Sequence, residues 1–576
     1  MLQVNKKDVI KTLETIAVYM ELKGENSFKV SAYRKAAQAL ETDDRSLADI
    51  GDPTELKGIG KGTGEVITEL METGKSSELE DLKKEVPSGL VPLLQVQGLG
   101  GKKLAKLYKE LGVIDADSLK KAAGDGEIQK LSGFGKKSEE KILAALEEMG
   151  TRPERLPIAF MLAAAEKVED SLRGMAGIEK WSRAGSLRRM RETVKDMDFI
   201  IATEKPENVR NQLLELEGIE EVIASGDTKV SLVMVFGYDV AVDFRLVQPA
   251  EFATALHHFT GSKDHNVRMR QLAKEKGEKI SEYGVEVQET GEILTFESEE
   301  AFFSHFGLPF IPPEIRESGE EVDAYLEADI RLVEVGDIKG DLHMHTTWSD
   351  GAYSIEEMVE AARKRGYEYI CITDHSQYLR VANGLTPERL RAQRKEIDRL
   401  NEKYNDILIL SGTEMDILPN AELDFDEHMM GELDLVIASI HSSFSQDRKT
   451  IMKRLKQAVK NNHVDIIAHP TGRLIGRREG YDVDLDMLIE LAAETDTALE
   501  LNANPHRLDL SAEWLRKAQD AGVKLSINTD AHQIDTFDHM KIGAAAARKG
   551  WVKKETVINT WDIADLTAFL KRNDNS

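Results

Sequence analysis

The stretch that most restricts what this chain can fold into is Asp341-Leu342-His343-Met344-His345, with Trp348-Ser349-Asp350-Gly351 just behind it. It follows a short apolar-polar alternation that reads as a strand, so His343 and His345 would leave the strand's end on one side. Two imidazoles so placed call for further metal ligands. Candidates come at intervals down the chain: Thr373-Asp374-His375, Gly412-Thr413-Glu414, Ser439-Ile440-His441, Ala468-His469-Pro470 and Thr529-Asp530-Ala531-His532. Each closes an apolar run (369–372, 407–410, 435–438, 464–467 and 524–527) that reads as a parallel strand. With 498–502 there are about seven strands alternating with helical patterns. That predicts a βα barrel with its candidate ligands at the C-terminal ends of the strands, where such barrels place their active sites.

Length and composition set the wider bounds. The 576 residues allow several domains, and 41% apolar residues supply their cores. The first residues lack the apolar core of a secretion signal, and no apolar run approaches the roughly 18 residues of a membrane span. A cytoplasmic protein with no membrane partner is expected. The single cysteine, Cys371, falls inside a buried strand pattern, which leaves no disulfide framework and no thiolate cluster. The net charge of −27 counts against a nucleic-acid partner, because phosphate neutralisation needs Lys and Arg. Its distribution weakens that objection: residues 1–150 carry −3, 151–340 carry −14 and 341–576 carry −10. Carboxylates grouped around divalent metals would also count here as uncompensated charge.

Residues 5–50 read as amphipathic helices, and three similar loops follow: Gly58-Ile59-Gly60-Lys61, Gly98-Leu99-Gly100-Gly101-Lys102-Lys103 and Gly133-Phe134-Gly135-Lys136-Lys137. Each precedes a helical pattern. Glycine lets the backbone approach a phosphate closely, and the next helix offers unpaired N–H groups. A single Gly-x-Gly is more simply a turn between helices. Three copies, two followed by Lys-Lys, point to helix-hairpin-helix loops that grip a DNA backbone without reading sequence. Beyond a Pro-bounded joint at 152–157 come Gly185-Ser186-Leu187-Arg188-Arg189 and then Asp196-Met197-Asp198. In a strand Asp196 and Asp198 share a face, which suits a pair of Mg²⁺ ions. Asp243, in Val242-Asp243-Phe244-Arg245, supplies a third carboxylate on a neighbouring strand, and Gly185, Ser186 and Arg189 would hold a triphosphate.

On these motifs, residues 1 to about 317 resemble a family X DNA polymerase of the nucleotidyltransferase superfamily. The match continues through Phe259-Thr260-Gly261-Ser262, Asn266, Arg270 and Phe310-Ile311-Pro312-Pro313-Glu314. The resemblance implies that Asp196 and Asp198 bind both metals, Mg²⁺ or Mn²⁺, and that Asp243 activates the primer 3′-hydroxyl. It implies further that Ser186 and Arg189 grip the β- and γ-phosphates, that Phe259 and Gly261 line the sugar pocket, that Asn266 meets the incoming base and that Arg270 approaches the template. Two departures matter. The position of the family's Schiff-base lysine holds Val66, which cannot form an imine, although Lys29, Tyr33, Arg34 and Lys35 could still hold a 5′-phosphate at a gap. His258 stands where animal relatives carry Tyr, which bears on sugar discrimination.

Residues 337–570 resemble the PHP (polymerase and histidinol phosphatase) domain. Family geometry implies one metal on His343, His345, Glu414 and Asp530, with Glu414 bridging to a second on His441 and His469. A third would lie on Asp350, His375 and His532. A nitrogen and oxygen set without sulfur suits Mn²⁺, Zn²⁺ or Fe²⁺, and such a cluster would polarise a phosphodiester and activate a bridging water. Ten of the fourteen histidines lie in this part; His428, His463, His506 and His539 are read as core or surface residues. Asp374 is placed to orient a ligand. Arg473, Arg477 and Arg478 either contact a DNA strand or form a solvated loop.

The expected architecture is multidomain α and α/β: a helical lyase-like domain at 1–90, a further helix-hairpin-helix region at 91–150, a nucleotidyltransferase palm with fingers and thumb at 151–317, a linker at 318–336 and a distorted (β/α)7 PHP barrel at 337–576. The expected function is gap filling in base-excision repair on gapped or nicked DNA with a 5′-phosphate, using deoxynucleoside triphosphates, with 3′-end removal by the barrel. The rivals are a DNA-targeted PHP phosphatase acting on a small substrate and a non-catalytic repair scaffold.

Overall fold

Apolar residues at helical spacing build the front of the chain, in a computed structural model that describes residues 6–42, 47–95, 99–150 and 154–572. Helix Lys6–Lys23 buries Val9, Leu13, Ile16, Ala17 and Met20, one stripe at a spacing of three and four. Helix Ser27–Thr42 meets it with Val30, Tyr33, Ala36, Ala37 and Leu40. Helices Lys61–Thr73, Gly101–Leu111 and Lys136–Gly150 each start directly behind one of the glycine loops. Val66 is buried in the first of them.

Past Leu156 the pattern changes to α/β. Five strands, β1 (Lys180–Arg183), β2 (Asp196–Ala202), β3 (Ile219–Ser225), β4 (Lys229–Val235) and β5 (Asp239–Val247), form one sheet in the order β1-β2-β5-β4-β3. Only β2 and β5 run parallel, and their register places Asp198 opposite Asp243. The thumb follows, with helices Phe252–Thr260 and Lys263–Glu275, a three-stranded antiparallel sheet and helix Glu299–His305. Its centre is a fully buried Arg316, whose guanidinium lies over the rings of Phe303 and Phe310 and donates to Glu299 (2.7 Å) and to the Ile311 carbonyl (2.8 Å). Glu299 also accepts from Arg188 of the palm. The segment expected as a linker carries helix Glu320–Glu327, and its Val322 and Tyr325 are buried in the thumb core.

The last part is a parallel barrel of seven strands in sequence order: β6 (Gly340–Asp341), β7 (Tyr369–Ile372), β8 (Leu408–Asp416), β9 (Leu435–Ser439), β10 (Ile466–Ile467), β11 (Ala498–Asn502) and β12 (Leu525–Asn528). A parallel bridge between Met344 and Ala531 draws the first and last strands together. The strands read as apolar runs because both of their faces are covered, and Cys371 in β7 is wholly buried, with burial pushing its thiol up. Palm and barrel share one hydrophobic cluster, which runs from Leu156 and Met197 to Met344 and Ile475. At the joint Arg473 pairs with Glu192 of the palm (2.7 Å), and a Cβ on Gly476 would fall 2.5 Å from Pro157. Among the described residues no helix is long and apolar enough to cross a membrane.

The Glu299 pair gives a stability prediction. Burial alone would push Glu299 up, but the Arg316 and Arg188 guanidiniums outweigh it and hold the carboxyl at about 2, against 4.5 when exposed. A depressed pKa contributes stability above pH 4.5 that is lost as pH falls toward 2. Glu299→Gln, which leaves the Arg316 charge buried without its counter-ion, should cost about 3–5 kcal/mol at neutral pH. Urea unfolding followed against pH should show a shallower acid decline in the variant than in the natural protein.

Candidate metal centres

The palm centre follows from strand geometry. Asp196 and Asp198 alternate on β2 and so leave one face, beside Asp243 of β5. Burial, followed by the charges of Asp196 and Asp243, pushes Asp198 up to about 7. The charges of Asp196 and Asp243 thus act on Asp198, and three carboxylates on one face favour a divalent cation. Lys229 Nζ lies 2.8 Å from Asp243 Oδ2. Gly185, at φ +60, closes one side of this cluster, and a Cβ there would stand 2.1 Å from an Asp198 oxygen. No other residue fits at 185. Ser186 follows in the short helix Gly185–Arg188.

Several of the residues expected to bind the nucleotide touch one another or close neighbours. Arg189 donates to the Thr260 carbonyl (2.5 Å) and lies against Gly261, while Arg245 sits over the ring of Phe259 at 4.7 Å. Phe259 and His258 meet edge to face, and Asn266 donates to the His258 carbonyl (2.8 Å). The Asn266 side-chain oxygen is buried without a hydrogen-bond partner. Burial lowers His258, helped by the charges of Arg270 and Arg245; Arg270 is exposed.

In the barrel all nine expected ligands converge, and Glu414 stands at the centre. Its Oε2 lies 3.0 Å from His375 Nδ1 and 3.4 Å from the Nε2 atoms of His343 and His345; its Oε1 lies 3.1 Å from His441 and 3.0 Å from His469. Asp530 Oδ1 is 3.2 Å from His345 and 3.7 Å from His343, and Asp350 lies 3.3 Å from His532 and 3.6 Å from His375. Ligand atoms within 4.8 Å of one another form three groups: His343, His345 and Asp530; His375, Glu414 and His441; His345, Asp350, His375 and His532. The partition departs from the expected one: Glu414 falls outside the first group, His375 takes the place of His469 beside Glu414 and His441, and His345 also borders the third group. Among the described residues these are the groups at that spacing, and the palm carboxylates are spread wider.

The donor set fits divalent cations. The imidazoles around Glu414 and Asp530 outweigh burial and hold both carboxyls well below the usual range, so both are charged. Burial, then His532 and His375, pushes His345 down to about 3, which leaves it neutral with a lone pair to offer. The buried Nδ1 atoms of His345 and His469 make no hydrogen bond with the protein.

Sequence reasoning missed two supporting carboxylates. Glu500, wholly buried on β11, accepts from His343 Nδ1 (2.7 Å) and from the His469 backbone N–H (2.7 Å), which turns the other nitrogen of His343 toward the cavity. An acid in the middle of Ala498-Leu499-Glu500-Leu501 was the available signal, since a buried charge needs a partner. Asp416, two residues past Glu414 on the same face, lies 3.4 Å from His441. Asp374 corrects an expectation: its carboxylate bonds no candidate ligand and accepts from Thr346 (2.7 Å), Ser349 and Gln393 (2.6 Å), so it shapes the loop after the His-x-His pair. Arg473 is a domain bridge, Arg478 bonds the Gly472 carbonyl and lies over Phe444, and Arg477 is exposed. His428, His463, His506 and His539 join none of the three groups.

At the front, Gly58 and Gly133 adopt φ +115 and +92, which explains those glycines by backbone alone. Gly60, Gly100 and Gly135 have no such need, and a Cβ at each would meet open space. Gly98 lies outside the described residues. Lys29 and Lys35 are exposed and Arg34 pairs with Glu21, whereas Tyr33 is packed inside, where burial pushes its hydroxyl up to about 12.

Three family descriptions match the chain: a helix-hairpin-helix domain over residues 4–76, a DNA polymerase beta thumb over 255–317 and a PHP domain over 341–504. A carboxylate-bearing palm and thumb in one chain with a histidine-lined barrel define a polymerase fused to a metal-dependent phosphoesterase. The DNA polymerase/3′-5′ exonuclease PolX of Bacillus subtilis (strain 168) is 65% identical over 570 residues, 99% of this chain and 100% of that one. The chain therefore belongs to the PolX family of DNA polymerase/3′-5′ exonucleases. It is also similar, at 29% over 40% of its length, to a "Probable phosphatase" of Thermoanaerobacter sp. (strain X514), of which it covers 94%. A "Probable phosphatase" of Caldanaerobacter subterraneus is 32% identical over 34% of this chain and 79% of that one.

Glu500→Gln, which weakens the acceptor behind His343, should lower the metal affinity of the barrel about 10–100-fold. Metal content after dialysis, read by elemental analysis, checks this; retention equal to the natural protein would count against the role of Glu500.

Proposed function

We propose that this chain is a templated DNA polymerase that fills short gaps during base-excision repair and removes 3′-terminal nucleotides with its barrel. The observation that carries the reading is the pairing of Asp198 with Asp243 across parallel strands, in a cradle that only Gly185 leaves open. Asp196, Asp198 and Asp243 would hold Mg²⁺ or Mn²⁺; the nine barrel residues would hold up to three ions of Mn²⁺ or Zn²⁺. When bound, such ions neutralise phosphoryl oxygens and lower the pKa of the attacking oxygen, the primer 3′-hydroxyl in the palm and water in the barrel.

The protein's own groups do the rest. Asp243 takes the proton from the primer 3′-hydroxyl, and Lys229, 2.8 Å from that carboxylate, holds it in place. Ser186 and Arg189 grip the phosphates of the incoming deoxynucleotide. Gly261 and Phe259 form the sugar wall, with His258 beside them, and Asn266 offers its unpartnered oxygen toward the base. In the barrel Glu414 ties the three ligand groups together while Glu500 fixes the tautomer of His343. The open glycines at 60, 100 and 135 let a DNA backbone come close to main-chain N–H groups, as the second glycine of a turn need not. Lys29, Arg34 and Lys35 receive the 5′-phosphate of a gap or nick, and lyase chemistry is absent from Val66. The enzyme would act in the cytoplasm.

The similarity to proteins named as phosphatases keeps a second reading in view, in which the barrel hydrolyses a small phosphate ester. Both are tested by Asp243→Ala and His343→Ala on a gapped primer-template. The first change should slow extension more than about 100-fold, the range for losing a positioned general base, and spare end removal. The second should do the reverse. End removal untouched by His343→Ala, with hydrolysis of p-nitrophenyl phosphate lost, would favour the phosphatase; no effect of either change would leave a DNA-binding scaffold.

A further inference from the structure

The barrel reaches into the polymerase at one half-buried lysine. Lys549 ends helix Met540–Lys549, and its ammonium group donates to the Glu317 carboxylate (2.7 Å), to the backbone carbonyl of Arg189 (3.1 Å) and to that of Glu314 (3.2 Å). All three of its N–H donors are thus used, and 15% of the side chain is exposed. Its neighbour Arg548 pairs with Glu314, which fixes the helix end against the close of the thumb.

Glu317 lies between this lysine and two arginines of the nucleotide motif. The oxygen that Lys549 holds at 2.7 Å accepts only a long hydrogen bond from Arg189 Nε (3.4 Å), and the other accepts one as long from Arg191. The shorter contact wins the carboxylate, and Arg189 turns Nη1 to the Thr260 carbonyl beside Gly261. Without the lysine, nothing on the barrel side would hold Glu317 back. It could close on Arg189 as a charge-assisted pair, the geometry in which guanidinium and carboxylate bind most strongly. A nucleotide phosphate would then have to displace it.

We propose that Lys549 is a positioning residue of the polymerase reaction, supplied by the nuclease barrel: it restrains Glu317 so that Arg189 is left for the phosphates of the incoming nucleotide. The proposal rests on the reading of Arg189 as a phosphate ligand. It makes the barrel part of the nucleotide site, not a passenger behind it, and explains why palm and barrel share a core.

The test is single-nucleotide insertion by the full-length protein on a gapped primer-template. Lys549→Ala should raise KM for the deoxynucleotide about tenfold, the effect of one charge-assisted hydrogen bond turned to competition, with kcat unchanged, as for lost binding that is equal in ground and transition states. Lys549→Arg should keep most of the affinity. The decisive variant is Lys549→Ala with Glu317→Gln, in which the competing charge is gone and KM should return toward the natural value. A structural role would give no such rescue, so a double variant as weak as the single one overturns the proposal, as does an unchanged KM in Lys549→Ala. Arg189→Ala is measured beside them: an unchanged KM there overturns the phosphate reading itself. The rate of 3′-end removal by each variant reports that the chain has folded.

Discussion

Charged side chains gathered at strand ends need counter-charge, and both centres of this protein are built on that need. In the barrel five imidazoles stand around Glu414, and in the palm Asp198 is held between two other acids. Folding can gather these charges only because parallel strands end together and present alternate side chains to the same side. The rest of the fold keeps the strand ends in register, through the covered faces of the barrel and the Asp198–Asp243 pairing of the palm. The cost is met when a cation is present, which makes these the places where chemistry on phosphates can occur.

The joint between palm and barrel is the second constraint. A shared apolar cluster, the Arg473–Glu192 pair and the Lys549 contacts lie within a few residues of the nucleotide motif at 185–191. Arg473 shows why loop arginines are hard to read. Its spacing after His469 fits a ligand for DNA equally well, and only the neighbouring Glu192, 281 residues away in sequence, reveals its partner. The acidic segment expected as a linker is a similar case: Val322 and Tyr325, at positions three apart, turn one face of its helix into the thumb, and only the packing shows which body it joins.

Much of the barrel was legible. Its strands are apolar runs ended by His, Asp or Glu, and seven parallel strands in sequence order follow from that rhythm. That the nine candidate residues stand at strand ends was legible for the same reason, as was the shared face of the two aspartates of β2. Less so were the supports behind them. Glu500 and Asp416 lie within apolar strands, and their partners are main-chain and imidazole nitrogens contributed from other strands. Asp374 was read by its neighbour in sequence, His375, when its bonds run to the loop at 346–349. Tyr33 belongs to the buried stripe of its helix, which a pattern of Lys and Arg around it obscured.

By itself, the order of residues determined the element types, the strand ends and which side chains carry charge or a lone pair, because these depend on local periodicity and on chemistry that each residue brings with it. Tertiary structure decided which carboxylate faces which imidazole, which arginine binds another domain and which stays open to a ligand. Those outcomes depend on distances of about 3 Å between residues far apart in the chain, the range over which a hydrogen bond forms or fails, and no local pattern encodes them.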